Sequence, residues 1–120
     1  LVATGLMVQE SLKAAALLEA EGIRARVIDI HTIKPIDKDI LIKAAKETGA
    51  IVTAEEHNIS GGLGSAVAEV VCQNAPCPVK MVAVQEKYGT SGTPAELLVK
   101  YGLTAEAIAE KAKSAIADKI

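Results

Sequence analysis

The stretch IVTAEEHNISGGLGSAVAEVVCQ, residues 51–73, is the part of the sequence that decides the fold class. It begins as the apolar run IVTA, turns polar at EEHN, passes through the glycines of SGGLG and continues as an Ala/Val-rich helical pattern. This order predicts a buried strand, a polar loop at its carboxyl end and a helix opened by glycines. Ligands and partners of open α/β sheets lie at the carboxyl ends of strands, so we expect the functional face there.

The rest of the chain repeats this alternation of strand and helix. Strands are predicted over residues 1–4, 25–30, 50–54 and 79–84, and the helices between them are predicted to end near Glu21, Lys46 and Gln73. Beyond the fourth strand we expect a polar loop over residues 85–92, a short helix over 93–100 and a last helix over 104–117. This alternation predicts an α/β fold with a parallel sheet and right-handed crossovers.

Helix boundaries and faces follow from local signals. Gly22 and Gly49 stand where helices end, while Asp37 and Thr104 are typical N-cap residues. The apolar spacing predicts inward faces for the first, second and last helices, formed by Met7, Val8, Leu12, Ala14, Ala15 and Leu18, by Ile40, Leu41, Ala44 and Ala45, and by Ile108, Ala112 and Ile116.

Composition limits the class of protein. Hydrophobic residues make up 50% of the 120 residues but aromatic residues only 2%, so the core must consist of Val, Ile, Leu and Ala. The net charge of -2 and the scarcity of aromatic rings argue against a nucleic-acid partner. No apolar run approaches the ~20 residues of a membrane span, and no signal peptide pattern is visible, so we expect no membrane partner.

The two cysteines and the first residues carry further expectations. Cys72 and Cys77 form a C-x4-C pattern without a nearby histidine, which predicts free thiols rather than a zinc site, in a cytoplasmic setting. The chain opens at Leu1 with LVATG, and a strand usually needs about five residues. We therefore expect residues 1–120 to form one domain of a longer protein.

The glycine loop allows three interpretations. Its glycines, Gly61, Gly62 and Gly64, could form a cradle for phosphate, because backbone N–H groups at a helix N-terminus bind anions. However, Val67 stands where a dinucleotide fingerprint needs Gly or Ala, and no P-loop lysine follows. The glycines could instead allow a tight turn with close packing, or form a docking surface for another domain. We favour the last two interpretations over anion binding.

Acidic and histidine residues mark the same region. Glu55, Glu56 and His57 suggest acid/base chemistry, but neighbouring strand residues point to opposite faces, so the two acids are not expected to act as a pair. His31 also follows a strand, which places both histidines at the carboxyl edge of the sheet. We predict no catalytic residue and no metal site. The candidate interface or anion-binding loop comprises His31, Glu55, Glu56, His57, Gly61, Gly62 and Gly64.

The order of these motifs resembles the C-terminal domain of transketolases, which are thiamine-diphosphate enzymes. The resemblance rests on ATG at residues 3–5, VIDIHTIKPID at 27–37, TAEEHNISGGLGSAVAEVV at 53–71 and KYGTSGTPAELLVKYGLTAEAI at 87–108. It implies a three-layer α/β/α domain with a mostly parallel sheet of four to five strands. It also implies an accessory role in the transfer of a two-carbon ketol unit between sugar phosphates, in pentose phosphate metabolism.

The resemblance implies partners and a cofactor as well. Thiamine diphosphate and Mg²⁺ would be held by separate pyrimidine- and diphosphate-binding domains, on the same chain or a partner subunit, in a homodimer of the complete enzyme. The chain alone would bind no cofactor and would be inactive. Two alternatives stay open: a regulatory module that binds phosphate or a nucleotide, and the C-terminal domain of a 1-deoxyxylulose-5-phosphate synthase or a 2-oxoacid dehydrogenase E1 beta chain.

Overall fold

The computed structural model describes residues 1–5, 7–31, 36–58, 62–84 and 103–119, without the side chains of 56–58 and 84. Four strands and four helices alternate along them. In chain order they are β1 (Val2–Ala3), α1 (Met7–Glu19), β2 (Ile28–Asp29), α2 (Lys38–Thr48), β3 (Ile51–Asn58), α3 (Leu63–Asn74), β4 (Val79–Val84) and α4 (Ala105–Ala117).

The strands form one parallel sheet in the order β2-β1-β3-β4. Val2 lies opposite Ile28 of β2 on one side and Thr53 of β3 on the other. The sheet confirms the α/β prediction with parallel strands. Since all strands run the same way, their carboxyl ends meet at one edge, called here the carboxyl edge, and their starts meet at the opposite, amino edge.

Helices cover both faces of the sheet, which confirms the three-layer arrangement. Helices α1 and α4 pack on one face around Met7, Leu18, Val52 and Ile108. Helices α2 and α3 pack on the other around Leu41, Ile51, Leu63 and Val67. Alternate residues of β3 therefore serve different layers, with Val52 and Ala54 on the α1/α4 side and Ile51 on the α2/α3 side.

The predicted helix caps are confirmed. After α1, Gly22 has a φ of 81°, its N–H donates to the Glu19 carbonyl and the Ile23 N–H donates to the Leu18 carbonyl, which is a Schellman motif. The Asp37 carboxylate accepts from the Ile40 N–H at 3.3 Å, and the Thr104 hydroxyl accepts from the Ala107 N–H at 3.2 Å. Gly49, with a φ of 77°, ends α2.

Three predicted core residues are wrong. Leu12 is 54% exposed, and the buried stripe of α1 runs instead through Met7, Ser11, Ala14 and Leu18. The polar Ser11 interrupts the apolar pattern that sequence periodicity depends on. Ile40 and Ile116 are 39% and 38% exposed, although Leu41, Ala44 and Ala45 of α2 and Ile108 and Ala112 of α4 are buried as predicted.

Two strand predictions also need correction. The second strand, predicted over residues 25–30, is limited to Ile28–Asp29, which pair with Val2 and Ala3 of β1. The third strand continues to Asn58, so Glu55, Glu56 and His57 lie in β3 rather than in a loop. Its pairing with β4 is irregular between Ala54 and Asn58. The acidic segment therefore belongs to the sheet, at the carboxyl edge.

Some predictions fall outside the described residues. These are the loop at residues 32–35, the polar loop over 85–92, the short helix over 93–100 and Gly61. Among the helices of the described ranges, none is long and apolar enough to cross a membrane.

Candidate functional site: the carboxyl edge

Glu55 is the best-defined polar residue of the carboxyl edge. Its side chain points to the α2/α3 side and is 1% exposed. One carboxylate oxygen accepts a hydrogen bond from the Leu63 N–H and the other from the Gly64 N–H, both at 2.8 Å. Glu55 therefore caps the N-terminus of α3 from the neighbouring strand.

The local sequence explains why a strand residue provides this cap. The N-cap position of α3 is Gly62, which has no side chain to accept from the first helical N–H groups. The negative carboxylate also lies at the positive end of the helix dipole. Because these two N–H groups already donate to Glu55, a phosphate could bind them only by displacing a buried carboxylate. This geometry favours the packing interpretation of the glycine loop over anion binding, while the docking interpretation stays a prediction.

Gly64 allows α3 to approach the sheet. A Cβ placed on Gly64 would lie 2.7 Å from the Met81 sulfur, 2.8 Å from Met81 Cγ and 3.0 Å from the Thr53 hydroxyl oxygen. These distances are shorter than ordinary van der Waals contacts, so a side chain at this position would push the helix away from β3 and β4. The glycine thus keeps the Leu63 and Gly64 N–H groups within reach of Glu55.

The other predicted site residues are not brought into one cluster by the described contacts. His31 follows β2 and is 84% exposed, with its Nε2 3.6 Å from a carboxylate oxygen of Asp29. Exposed pairs of this kind contribute little to stability. Glu56 and His57 are placed in β3 by their backbone, while their side chains and Gly61 lie outside the described part of the chain. The grouping of these residues as one interface stays a prediction.

Sequence reasoning missed a second long-range cap. A carboxylate oxygen of Glu10, in α1, accepts from the Ala105 N–H at the start of α4 at 3.0 Å. The two residues are 95 positions apart, so no local pattern could have indicated the contact. In both cases a carboxylate from a neighbouring element stabilises a helix N-terminus. The carboxylates of Glu55 and Glu10 therefore both accept hydrogen bonds from the first N–H groups of a helix.

The described residues do not fit a site for a metal–diphosphate cofactor. Within these residues no group of three or more His, Cys, Asp or Glu side chains is placed to hold a metal ion. Cys72 and Cys77 are both free, and burial raises the pKa of the Cys77 thiol, which disfavours the reactive thiolate. The contacts described at the carboxyl edge are the hydrogen bonds of Glu55 and the close packing at Gly64.

A cavity of about 340 Å³ lies at the opposite, amino edge of the sheet. It is lined from the α1/α4 side by Leu18, Ala112 and Ile116 and from the α2/α3 side by Ala44 and Thr48. The amino group of Leu1 lies beside it and donates to the Arg26 carbonyl at 2.7 Å. Burial, with the Arg26 charge second, lowers the pKa of this amino group from 8.0 to about 6.

This shift predicts a pH-dependent stability for a polypeptide that begins at Leu1. Because the folded state disfavours the charged amine, the free energy of unfolding should rise as the pH increases from about 6 to 8. We expect a rise of about 2 kcal/mol, since each pKa unit corresponds to about 1.4 kcal/mol and Leu1 is only partly buried. Urea unfolding of the free and N-acetylated chains across this range measures it. Equal pH profiles for the two chains would contradict the prediction.

The sequence is similar to that of known proteins over most of its length. The family model described as "Transketolase, C-terminal domain" matches residues 1–108. The chain is 45% identical, over 93% of its length, to a 6-deoxy-6-sulfo-D-fructose transketolase subunit of Clostridium sp. (strain MSTE9). It is also 45% identical, over 94% of its length, to 1-deoxy-D-xylulose-5-phosphate synthase of Heliobacterium modesticaldum.

A solved structure agrees in fold. A chain described as "Split gene transketolase, inactive beta4 tetramer" is 51% identical, with a TM-score of 0.95 over 99% of the present chain. The present chain spans 35% and 18% of the two curated relatives and 39% of the solved chain. It therefore corresponds to one part of each of these proteins.

Proposed function

The chain belongs to the transketolase C-terminal domain family, and on this premise we propose that it is the accessory C-terminal domain of a ketol-transferring enzyme. The complete enzyme would move a two-carbon ketol unit from a ketose phosphate to an aldose phosphate. The domain would support assembly and would not catalyse the reaction alone. The accessory role is supported by the cap that Glu55 forms on α3. Each oxygen of this buried carboxylate accepts a hydrogen bond from the helix, so the residue has a structural role.

Thiamine diphosphate and Mg²⁺ belong, in this proposal, to the pyrimidine- and diphosphate-binding domains of the complete enzyme. These domains lie on the same polypeptide or on a partner subunit. A relative described as a transketolase subunit supports the second arrangement. We further propose a homodimer of the complete enzyme, acting in pentose phosphate metabolism in the cytoplasm.

One alternative has specific support. The relative from Heliobacterium modesticaldum, described as a 1-deoxy-D-xylulose-5-phosphate synthase, is as similar as the transketolase subunit. Against it, Ser91 stands where that family usually carries a histidine, in the segment YGTSG. The E1 beta chain of a 2-oxoacid dehydrogenase remains a third candidate. A phosphate-binding regulatory module is less favoured, because Glu55 occupies the N–H groups that would hold the anion.

An assay of the complete enzyme separates these candidates. The enzyme, with thiamine diphosphate and Mg²⁺, is given xylulose 5-phosphate plus ribose 5-phosphate, and separately pyruvate plus glyceraldehyde 3-phosphate. We expect turnover with the two sugar phosphates. Turnover with pyruvate plus glyceraldehyde 3-phosphate, and none with the two sugar phosphates, would overturn the transketolase proposal in favour of the synthase.

We also propose that the carboxyl edge, with His31, Glu56, His57 and residues 61–64, contacts another domain or subunit. Adding a negative charge by His31→Glu and reversing one by Glu56→Lys, in the complete enzyme, should weaken assembly measured by sedimentation. The matched control changes two exposed charges near the C-terminal ends of α1 and α2, Glu19→Lys with Lys46→Glu, which lie towards the amino edge. Unchanged assembly and activity in the carboxyl-edge variant would contradict this part of the proposal.

A further inference from the structure

The two methionines of the chain lie in different environments. Met7, at the start of α1, is fully buried, with an exposed fraction of 0%. Met81 lies in β4, the last strand in the sheet order β2-β1-β3-β4, and is partly exposed. Because a small solute reaches a partly exposed thioether more easily than one inside the core, the two side chains should differ in their reactivity towards oxidants.

The Met81 side chain packs against the first turn of α3. Its Sδ and Cγ lie 2.7 Å and 2.8 Å from the position that a Cβ on Gly64 would occupy, and the Thr53 Oγ1 lies 3.0 Å from the same position. In this turn the Leu63 and Gly64 N–H groups donate to the Glu55 carboxylate, both at 2.8 Å. The Met81 sulfur therefore lies beside the helix end that Glu55 caps.

We propose that Met81 is a peroxide-sensitive modification site, and that its oxidation loosens the N-terminus of α3. In the reaction with hydrogen peroxide, a sulfur lone pair attacks one peroxide oxygen, the O–O bond breaks, an S–O bond forms and water leaves after proton transfer. The sulfur loses two electrons and the peroxide gains them. The product is a polar sulfoxide in place of the apolar thioether.

The close packing at Gly64 explains the expected effect on α3. In the described part of the chain, the Thr53 hydroxyl is buried without a hydrogen-bond partner, so a sulfoxide oxygen on this side of the sulfur would face an unused donor. The contact has no room even for a Cβ on Gly64, so the added oxygen would push the first turn of α3 outward. That movement would weaken the two hydrogen bonds to Glu55.

Peptide mass spectrometry and hydrogen exchange of the full-length protein test the proposal. During brief exposure to hydrogen peroxide, we expect the peptide that contains Met81 to gain one oxygen about tenfold faster, or more, than the peptide that contains Met7. In the oxidised protein, exchange of the Leu63 and Gly64 amides should accelerate by about tenfold or more. The Ala75 amide, which donates to the Val71 carbonyl at the other end of α3, is the internal reference and should change little.

The matched variant is Met81→Leu, which keeps an apolar side chain of similar volume without the sulfur. Treated with peroxide in the same way, it should keep the slow exchange of the Leu63 and Gly64 amides, although the free thiols of Cys72 and Cys77 are still present to react. Oxidation of Met7 as fast as that of Met81, or no oxidation of Met81, would overturn the proposal. Unchanged Leu63 and Gly64 exchange in the oxidised wild type, or equal acceleration in Met81→Leu, would overturn it as well. These readouts measure neither ketol transfer nor assembly, so the proposal is independent of the proposed function.

Discussion

Replacing Glu55 by Ala is expected to lower the free energy of unfolding by about 3 kcal/mol or more. The substitution leaves the buried Leu63 and Gly64 N–H groups without an acceptor, and each unsatisfied buried donor costs about 1–3 kcal/mol. It also removes the negative charge from the N-terminus of α3. Urea unfolding followed by circular dichroism measures the loss.

The design includes a matched control and an intermediate variant. Glu69→Ala removes the same type of side chain from an exposed position of α3, and we expect a change below about 0.5 kcal/mol. Glu55→Gln keeps one acceptor oxygen and should fall between the wild type and Glu55→Ala. If Glu55→Ala were as stable as the Glu69→Ala control, the capping role of Glu55 would be wrong.

The second large effect is expected for Gly64→Val. Its first added carbon would lie 2.7 Å from the Met81 sulfur and 3.0 Å from the Thr53 hydroxyl oxygen, so α3 would have to move outward. Overpacking of this kind costs about 1–3 kcal/mol, and we expect the upper end because the movement also strains the bonds to Glu55.

A double substitution identifies the cause. Met81→Ala removes the side chain nearest to the added carbon, so the loss caused by Gly64→Val should be smaller in the Met81→Ala background. Thermal or urea unfolding of the four proteins gives the coupling energy. Equal losses in both backgrounds would show that contact with Met81 does not explain the requirement for glycine.

The sequence predicted the layers of this fold because its signals are local. Glycine and Asp37 mark helix ends through backbone conformation and short-range hydrogen bonds, and the apolar runs mark buried strands. The exposed Leu12 and the buried Ser11 show the limit of periodicity, which assumes that apolar and buried residues coincide. The length of β2 was mispredicted because apolar content alone does not show which residues of a segment are paired with a neighbouring strand.

The position of Glu55 was predictable from the sequence, but its structural role was not. Polar residues after a buried strand correctly located Glu55 at the carboxyl edge. Its role depends on α3, whose N-cap residue, Gly62, lacks a side chain. Glu55 lies eight residues before Leu63, the first residue of α3, and its hydrogen bonds to the helix are visible only in three dimensions. The Glu10 contact with Ala105 had no comparable signal.

Motif order, rather than the chemistry of individual residues, indicated the family. The segments around residues 53–71 and 87–108 suggested the transketolase C-terminal domain, and the family match over residues 1–108 confirms it. The described contacts of individual residues indicate packing and helix capping. In an accessory domain, motif order is expected to be more informative than the chemistry of single residues, because the reacting groups would lie elsewhere in the enzyme.

An assay of ketol transfer by the isolated chain is the most direct test of the accessory role. The 120-residue chain is assayed alone with xylulose 5-phosphate, ribose 5-phosphate, thiamine diphosphate and Mg²⁺, beside the complete enzyme under the same conditions. We predict no transfer by the chain alone and turnover by the complete enzyme. Ketol transfer by the isolated chain would contradict the account.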